Sequence, residues 1–253
     1  MPRIARLRSE AGVYHVMARG INKQDIFLEG DDRHRFLATL AKVKAKTMCK
    51  VYGYCLMSNH VHLLLSEGEE GNIGEIMQRL GSSYVYWYNR KYERVGYLFQ
   101  DRFLSEPVES DPYLLSVLRY IHQNPVKAGI VTDCSQYVWS SYLAYTVGKE
   151  HEVGLTDTEL ILELSSGVEL FKDYHQHMNE MSFEAVETKP RLKAAQVLSL
   201  AESIMGEVPL AALPTLQAAE RNRILRELKA TPGISCAQIA SLVGVGKKVV
   251  ERA

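Results

Sequence analysis

The sequence predicts an α+β fold: a ferredoxin-like antiparallel sheet with helices on one face, followed by an all-α C-terminal region with a helix-turn-helix. Three observations carry this. Over roughly the first 110 residues, segments with strand character alternate with segments of helical period in the order strand–helix–strand–strand–helix–strand. Both helices carry N-terminal start signals. Beyond residue 190 the chain turns rich in Ala and Leu at helical spacing and shows no further strand pattern.

Residues 13–20 read as a strand closed by Gly20. Asp31 and Asp32 open a helix to about residue 48, with Phe36, Leu37, Leu40 and Val43 at helical spacing and acids at the end where the dipole favours them. Residues 50–57 and 60–66 form a hairpin around Ser58-Asn59. Asn72 caps a second helix to about residue 92, with Ile73, Ile76, Met77 and Leu80 on one face. A fourth strand is expected over 98–108. Asp111-Pro112, an N-cap followed by proline at the first helical position, opens a helix that Pro125 interrupts near residue 124. Residues 140–148 look like an exit segment. Three parts result: a first domain over 1–150, a helical linker over 151–190, and a helical unit over 191–253. The last unit ends in a helix-turn-helix rhythm over 234–249 with its turn at Gly244. Its second helix has barely begun when the chain stops, as in a truncated unit.

Composition narrows the function. The chain has 253 residues, 46% hydrophobic and 24% charged, with zero formal net charge. The balance is uneven: residues 1–50 carry 11 Lys and Arg against 5 Asp and Glu, and residues 151–253 carry 11 against 14. A basic front suits a protein whose N-terminal part meets an anion. Four scattered cysteines form no CxxC pair and propose neither zinc site nor disulfide framework. The first ten residues lack an apolar run, and no stretch has the roughly 18 apolar residues of a membrane span, so a cytoplasmic protein with no membrane partner is expected.

His60-Val61-His62 is the sharpest chemical feature. Strand residues two apart project to one face, so both imidazoles point the same way and make half of a divalent-metal site. A polar strand face that happens to hold two histidines is the competing reading. Tyr120 and Asn124 lie four apart on one helix and share a face. Asn124 is a poor core residue unless its amide is paired, and its amide oxygen is a reasonable third ligand. A tyrosine one turn earlier would then lie beside the metal. A core role for Tyr120 is the alternative.

Tyr14-His15-Val16 with Arg19-Gly20, Met57-Ser58-Asn59-His60-Val61-His62-Leu63-Leu64, Gln100-Asp101-Arg102-Phe103, and Tyr120-Ile121-His122-Gln123-Asn124-Pro125-Val126-Lys127-Ala128-Gly129 together resemble the HUH single-tyrosine transposases. The likeness is nearest to the REP-associated tyrosine transposase branch and covers about residues 1–145. It implies that His60 and His62 ligate Mg²⁺ or Mn²⁺, that Asn124 helps hold the ion, and that Tyr120 attacks single-stranded or hairpin DNA to form a 5′-phosphotyrosine and free a 3′-OH. Ser58 stands where the family commonly has Pro, and Asp101 where Gly is usual. Compact members stop near the end of the first domain and act as dimers, so a homodimer is one arrangement the resemblance implies, single copies the other.

For DNA contacts, Arg3, Arg6, Arg8, Arg19, Lys23, Arg90, Lys91 and Arg102 are the candidate phosphate-binding cations. The aromatic run Tyr84, Tyr86, Trp87, Tyr88 and Tyr92 suits either base stacking or core packing. Two further readings stand beside the transposase: a non-catalytic helix-turn-helix DNA-binding regulator derived from a transposase, and a metal hydrolase that releases free ends without a covalent intermediate.

Overall fold

The structure is a computed structural model that describes residues 6–178, 194–206, 209–231, 234 and 236–252. It divides into two compact units, residues 1–181 and 182–253.

In the first unit, β1 (Val13–Arg19), α1 (Gly30–Thr47), β2 (Lys50–Leu56), β3 (His60–Ser66), α2 (Ile73–Lys91) and β4 (Leu104–Pro107) follow in order. The antiparallel sheet has the order β2-β3-β1-β4, as a ferredoxin-like connection requires. Alternation divides its residues between two cores. Tyr14, Val16 and Ala18 of β1 and Val61, Leu63 and Leu65 of β3 meet Phe36, Leu37, Leu40 and Val43 of α1 and Ile76, Leu80, Tyr84 and Tyr88 of α2. In β2 the alternation slips. Val51 pairs with Leu65 and Gly53 with Leu64, so Tyr52 is an extra, bulged residue. The inward parity therefore changes from Val51 to Tyr54 and Leu56.

The helix ends follow local chemistry. Asp32 accepts the backbone N–H of Leu28 (2.7 Å) and of Glu29 (2.8 Å), forming a capping box at the start of α1. Met48 ends it in the left-handed conformation. Asn72 Oδ1 accepts the Glu75 N–H at 3.1 Å to cap α2.

The other face of the sheet is covered by α3 (Asp111–Lys127). A methyl at Gly53 would lie 2.3 Å from Leu118 of α3, so glycine is what lets this helix approach β2 closely. Two elements have boundaries that differ from expectation. The fourth strand spans Leu104–Pro107 rather than 98–108. Upstream, the chain makes only a single bridge, Phe99 to Gly20, and Asp101 Oδ1 takes the Arg102 N–H at 2.8 Å, a local bond that competes with a ladder. The helix expected to end near Asn124 continues through Pro125 to Lys127, with Ser110 rather than Asp111 at its N-cap. Pro125 lies in the last turn, where Ala128 N still bonds Asn124 O at 2.9 Å, so the missing N–H removes one bond without ending the helix.

Residues 140–148 form α4 (Tyr142–Val147), and α5 (Glu159–Leu164) and α6 (Val168–Gln176) follow. The described part of the expected linker packs on this unit. Leu155 joins the α1–α2 core, and Phe171 stacks on Tyr145 with centroids 4.8 Å apart.

The second unit holds α7 (Ala194–Met205), α8 (Ala218–Ala230), α9 (Cys236–Val243) and α10 (Lys247–Arg252). Ala201, Met205, Leu213, Ile224, Leu225, Leu228, Ile239, Val243 and Val250 form its core. Gly244 has φ +67° between α9 and α10, a conformation that favours glycine.

Candidate functional site

The α3-facing side of the sheet gathers the chemistry. Strand parity sends His15, His60 and His62 to this side, away from the α1–α2 core, and the ladder pairs Arg19 with His60 and Met17 with His62. His60 and His62 have ring centroids 5.0 Å apart. Tyr120 descends from α3 onto them: its ring stands edge-on to His62 at 5.7 Å and to His15 at 6.0 Å. Asn124 is one turn further along α3, and its Nδ2 donates to Tyr120 O at 2.9 Å. That bond directs the amide nitrogen to the backbone, so Oδ1 is the atom that could ligate an ion.

The imidazoles are kept neutral. Burial, with Arg19 adding to it, pushes His60 down to about 4. Burial pushes His15 down to about 3, and burial followed by the neighbouring His15, His60 and Arg19 holds His62 well below the ordinary histidine value. Neutral imidazole is the ligating form. The ring nitrogens are also sorted. His60 Nδ1 lies 2.6 Å from Asn59 Oδ1, whose amide Nδ2 donates to Lys23 O, so His60 Nδ1 carries the hydrogen and Nε2 carries the lone pair. His62 Nδ1 lies 3.0 Å from His15 Nε2.

Among the described residues no group of three or more His, Cys, Asp or Glu side chains is arranged to hold a metal ion. An amide is not one of those side chains, and His60, His62 and Asn124 could offer two imidazole nitrogens and one amide oxygen. Neutral nitrogen and carbonyl-type oxygen donors on one face fit a divalent ion such as Mn²⁺.

The candidate DNA-binding cations separate. Arg19 is at the site, beside His60. Arg6 lies 3.7 Å over the Phe103 ring, close enough to Arg102 for the two charges to repel. Arg8, Lys23, Arg90 and Arg102 are exposed. Lys91 is engaged elsewhere, bonded to Asp32 at 2.8 Å and Glu29 at 3.0 Å, where it ties α2 to the start of α1. Arg3 lies outside the described residues. Of the aromatic run on α2, Tyr84 and Tyr88 are core, Tyr92 donates to Asp32, and Tyr86 is 69% exposed.

Two residues of the site escaped the sequence reading. Lys127 Nζ lies 4.8 Å from the Tyr120 ring centroid. Its spacing of seven from Tyr120, two helical turns, was the available signal. For His15 the signal was its strand parity and its place in the Tyr14-His15-Val16 motif.

The first unit thus sets a pair of histidines on a four-stranded antiparallel sheet against a tyrosine of the helix that covers it. Residues 9–124 match the family model described as IS200-like transposase. Among solved structures, a REP-associated tyrosine transposase bound to a REP hairpin is similar at 18% identity over 56% of this chain and 82% of its own, with a TM-score of 0.47. A structure named as a transposase from Deinococcus radiodurans R1 is similar at 15% identity over 49% and 94%, with a TM-score of 0.34. No curated protein matches the chain. Among the described residues no helix is long and apolar enough to cross a membrane.

Proposed function

We propose that the first unit is a DNA strand transferase that cleaves and rejoins single-stranded or hairpin DNA, with Tyr120 as its nucleophile. The observation that carries this is the Tyr120 ring set edge-on at 5.7 Å from His62, which is itself 5.0 Å from His60. The Tyr120 phenolic oxygen attacks the scissile phosphorus as the bond from phosphorus to the 3′ oxygen breaks. The phenolic proton is lost, and the departing 3′ oxygen gains one to become a 3′-OH. The product is a 5′-phosphotyrosine, and the reverse step, attack by a 3′-OH, rejoins strands without a nucleotide cofactor.

His60 and His62 through Nε2 and Asn124 through Oδ1 would hold Mn²⁺ or Mg²⁺. Such an ion, when bound, polarises the phosphate. Lys127 and Arg19 flank the same pocket of chemistry with positive charge and draw the phosphate to Tyr120.

The test is incubation of the chain with end-labelled hairpin DNA and Mn²⁺, followed by denaturing electrophoresis. A covalent protein–DNA adduct is expected from the wild type and none from Tyr120→Phe. An adduct that persists in Tyr120→Phe removes Tyr120 from the role.

A second reading, a DNA-binding regulator acting through α9 and α10 as a helix-turn-helix, draws on Gly244 between two short helices. It predicts hairpin binding in EDTA with no cleavage under any metal.

A further inference from the structure

We infer that His15 is the positioning residue that holds His62 in the ring orientation and tautomer a metal ligand needs. This rests on the metal-site reading above. His15 and His62 are 3% and 2% exposed, and their rings are nearly parallel, at 17°. At 3.0 Å, the Nε2···Nδ1 contact is a single hydrogen bond between two neutral imidazoles. One ring donates and the other accepts.

The geometry of His60 decides the direction. There, Nδ1 faces an amide oxygen that can only accept, so Nε2 presents the lone pair. His62 can present the same atom beside it only if its own Nδ1 carries hydrogen. Its Nδ1 then donates to His15 Nε2, and His15 carries its hydrogen on Nδ1. Asn59 and His15 thus perform one task for the two ligands: each accepts the Nδ1–H and fixes the ring. Outer-shell acceptors of this kind set ligand orientation and basicity in metal sites. His15 does one thing more. Its ring meets Tyr120 edge-on at 6.0 Å, with an interplanar angle of 74°, so the side chain that orients the ligand also packs against the nucleophile.

The test uses the full chain with His15→Phe, which fills the space without an acceptor, and His15→Gln, whose amide oxygen can accept. Mn²⁺ affinity is measured by calorimetry or by electron paramagnetic resonance, with metal-free thermal unfolding measured alongside. His15→Phe is expected to bind Mn²⁺ about 10- to 100-fold more weakly, with His15→Gln recovering most of the loss. A folded His15→Phe that binds Mn²⁺ as tightly as the wild type overturns the inference, as does a His15→Gln variant no better than His15→Phe. Should His15→Phe not fold, histidine ¹⁵N spectra of the wild type decide the matter. Hydrogen on Nδ1 of His62 is expected, and hydrogen on Nε2 overturns the inference. A wild-type chain that binds no Mn²⁺ instead removes the metal reading itself, whereas tight wild-type binding with an indifferent His15→Phe removes only the role of His15.

Discussion

At the residue scale, Gly20 shows how one small side chain keeps the site in register. It ends β1, and its N–H donates to Asn59 O at 2.9 Å, fixing the turn that leads into His60. A methyl there would lie 2.1 Å from Gln24 O and 3.0 Å from Ile26 Cγ2. The first is backbone and has no rotamer to move to. Gly20→Ala is expected to cost about 1–3 kcal/mol, as overpacking does. Gly81, inside α2 with no atom within 4 Å of an added methyl, makes the contrast. Gly81→Ala is expected to gain roughly 0.5–1 kcal/mol from helix propensity. Thermal unfolding of both variants checks the pair, and a Gly20→Ala chain as stable as the wild type would contradict the packing argument. At this scale the sequence was most legible where periodicity determines direction. His60 and His62 share a face because strand alternation leaves no choice, and Tyr120 and Asn124 because four residues make about one helical turn. The partner of His15 was illegible, because it is set by the diagonal offset across the β1–β3 ladder, and register is not written in either strand alone.

At the element scale, α3 does the most. It packs Leu118 against Gly53 and brings Tyr120, Asn124 and Lys127 to one side at spacings of four and seven. Its continuation past Pro125 matters, since a helix stopping at Asn124 would release the amide. Because the Asn124 nitrogen is occupied by Tyr120 O, the proposed ligand atom is the oxygen, and an oxygen can be supplied by a carboxylate. Asn124→Leu is expected to weaken Mn²⁺ binding by at least about tenfold, no less than loss of an outer-shell partner, while Asn124→Asp retains binding. Calorimetric titration separates the two, and an Asn124→Leu chain with undiminished affinity would exclude Asn124 from the ligand set. The elements themselves were largely readable from caps and periodicity. The bulge at Tyr52 and the shortening of β4 were not, because each depends on a pairing with a distant strand rather than on local pattern.

At the scale of the whole molecule, the first unit extends past the residues that match the family, and a buried polar chain joins the addition to α3. Ser141 Oγ lies 2.8 Å from His122 Nε2, His122 Nδ1 lies 3.0 Å from His175 Nε2, and His175 Nδ1 lies 2.8 Å from Phe171 O. The terminal carbonyl can only accept, so one consistent direction runs through the chain: Ser141 donates to His122, His122 to His175, and His175 to Phe171, with each ring neutral. Gln123 adds bonds to His175 O and His177 O at 2.9 and 3.0 Å. Local spacing could not reveal this, since the two histidines are 53 residues apart. It has a pH consequence. Burial, helped by Arg119 and outweighing the Phe171 bond, pushes His175 down to about 4, and burial followed by His175 holds His122 well below its ordinary value. The unfolded chain therefore takes up protons near pH 6.5 that the folded chain refuses. Stability is fully present above that pH and falls as the solution is acidified toward pH 4. For His175 alone the loss between pH 7 and pH 5 is about 2 kcal/mol. Trp87 and Trp139, the chain's two tryptophans, both belong to the first unit, so their fluorescence in urea reports its unfolding. The midpoint is expected to drop from pH 7 to pH 5, and the drop is expected to shrink in His175→Gln. An equal drop in wild type and variant would show that His175 does not carry the proton linkage.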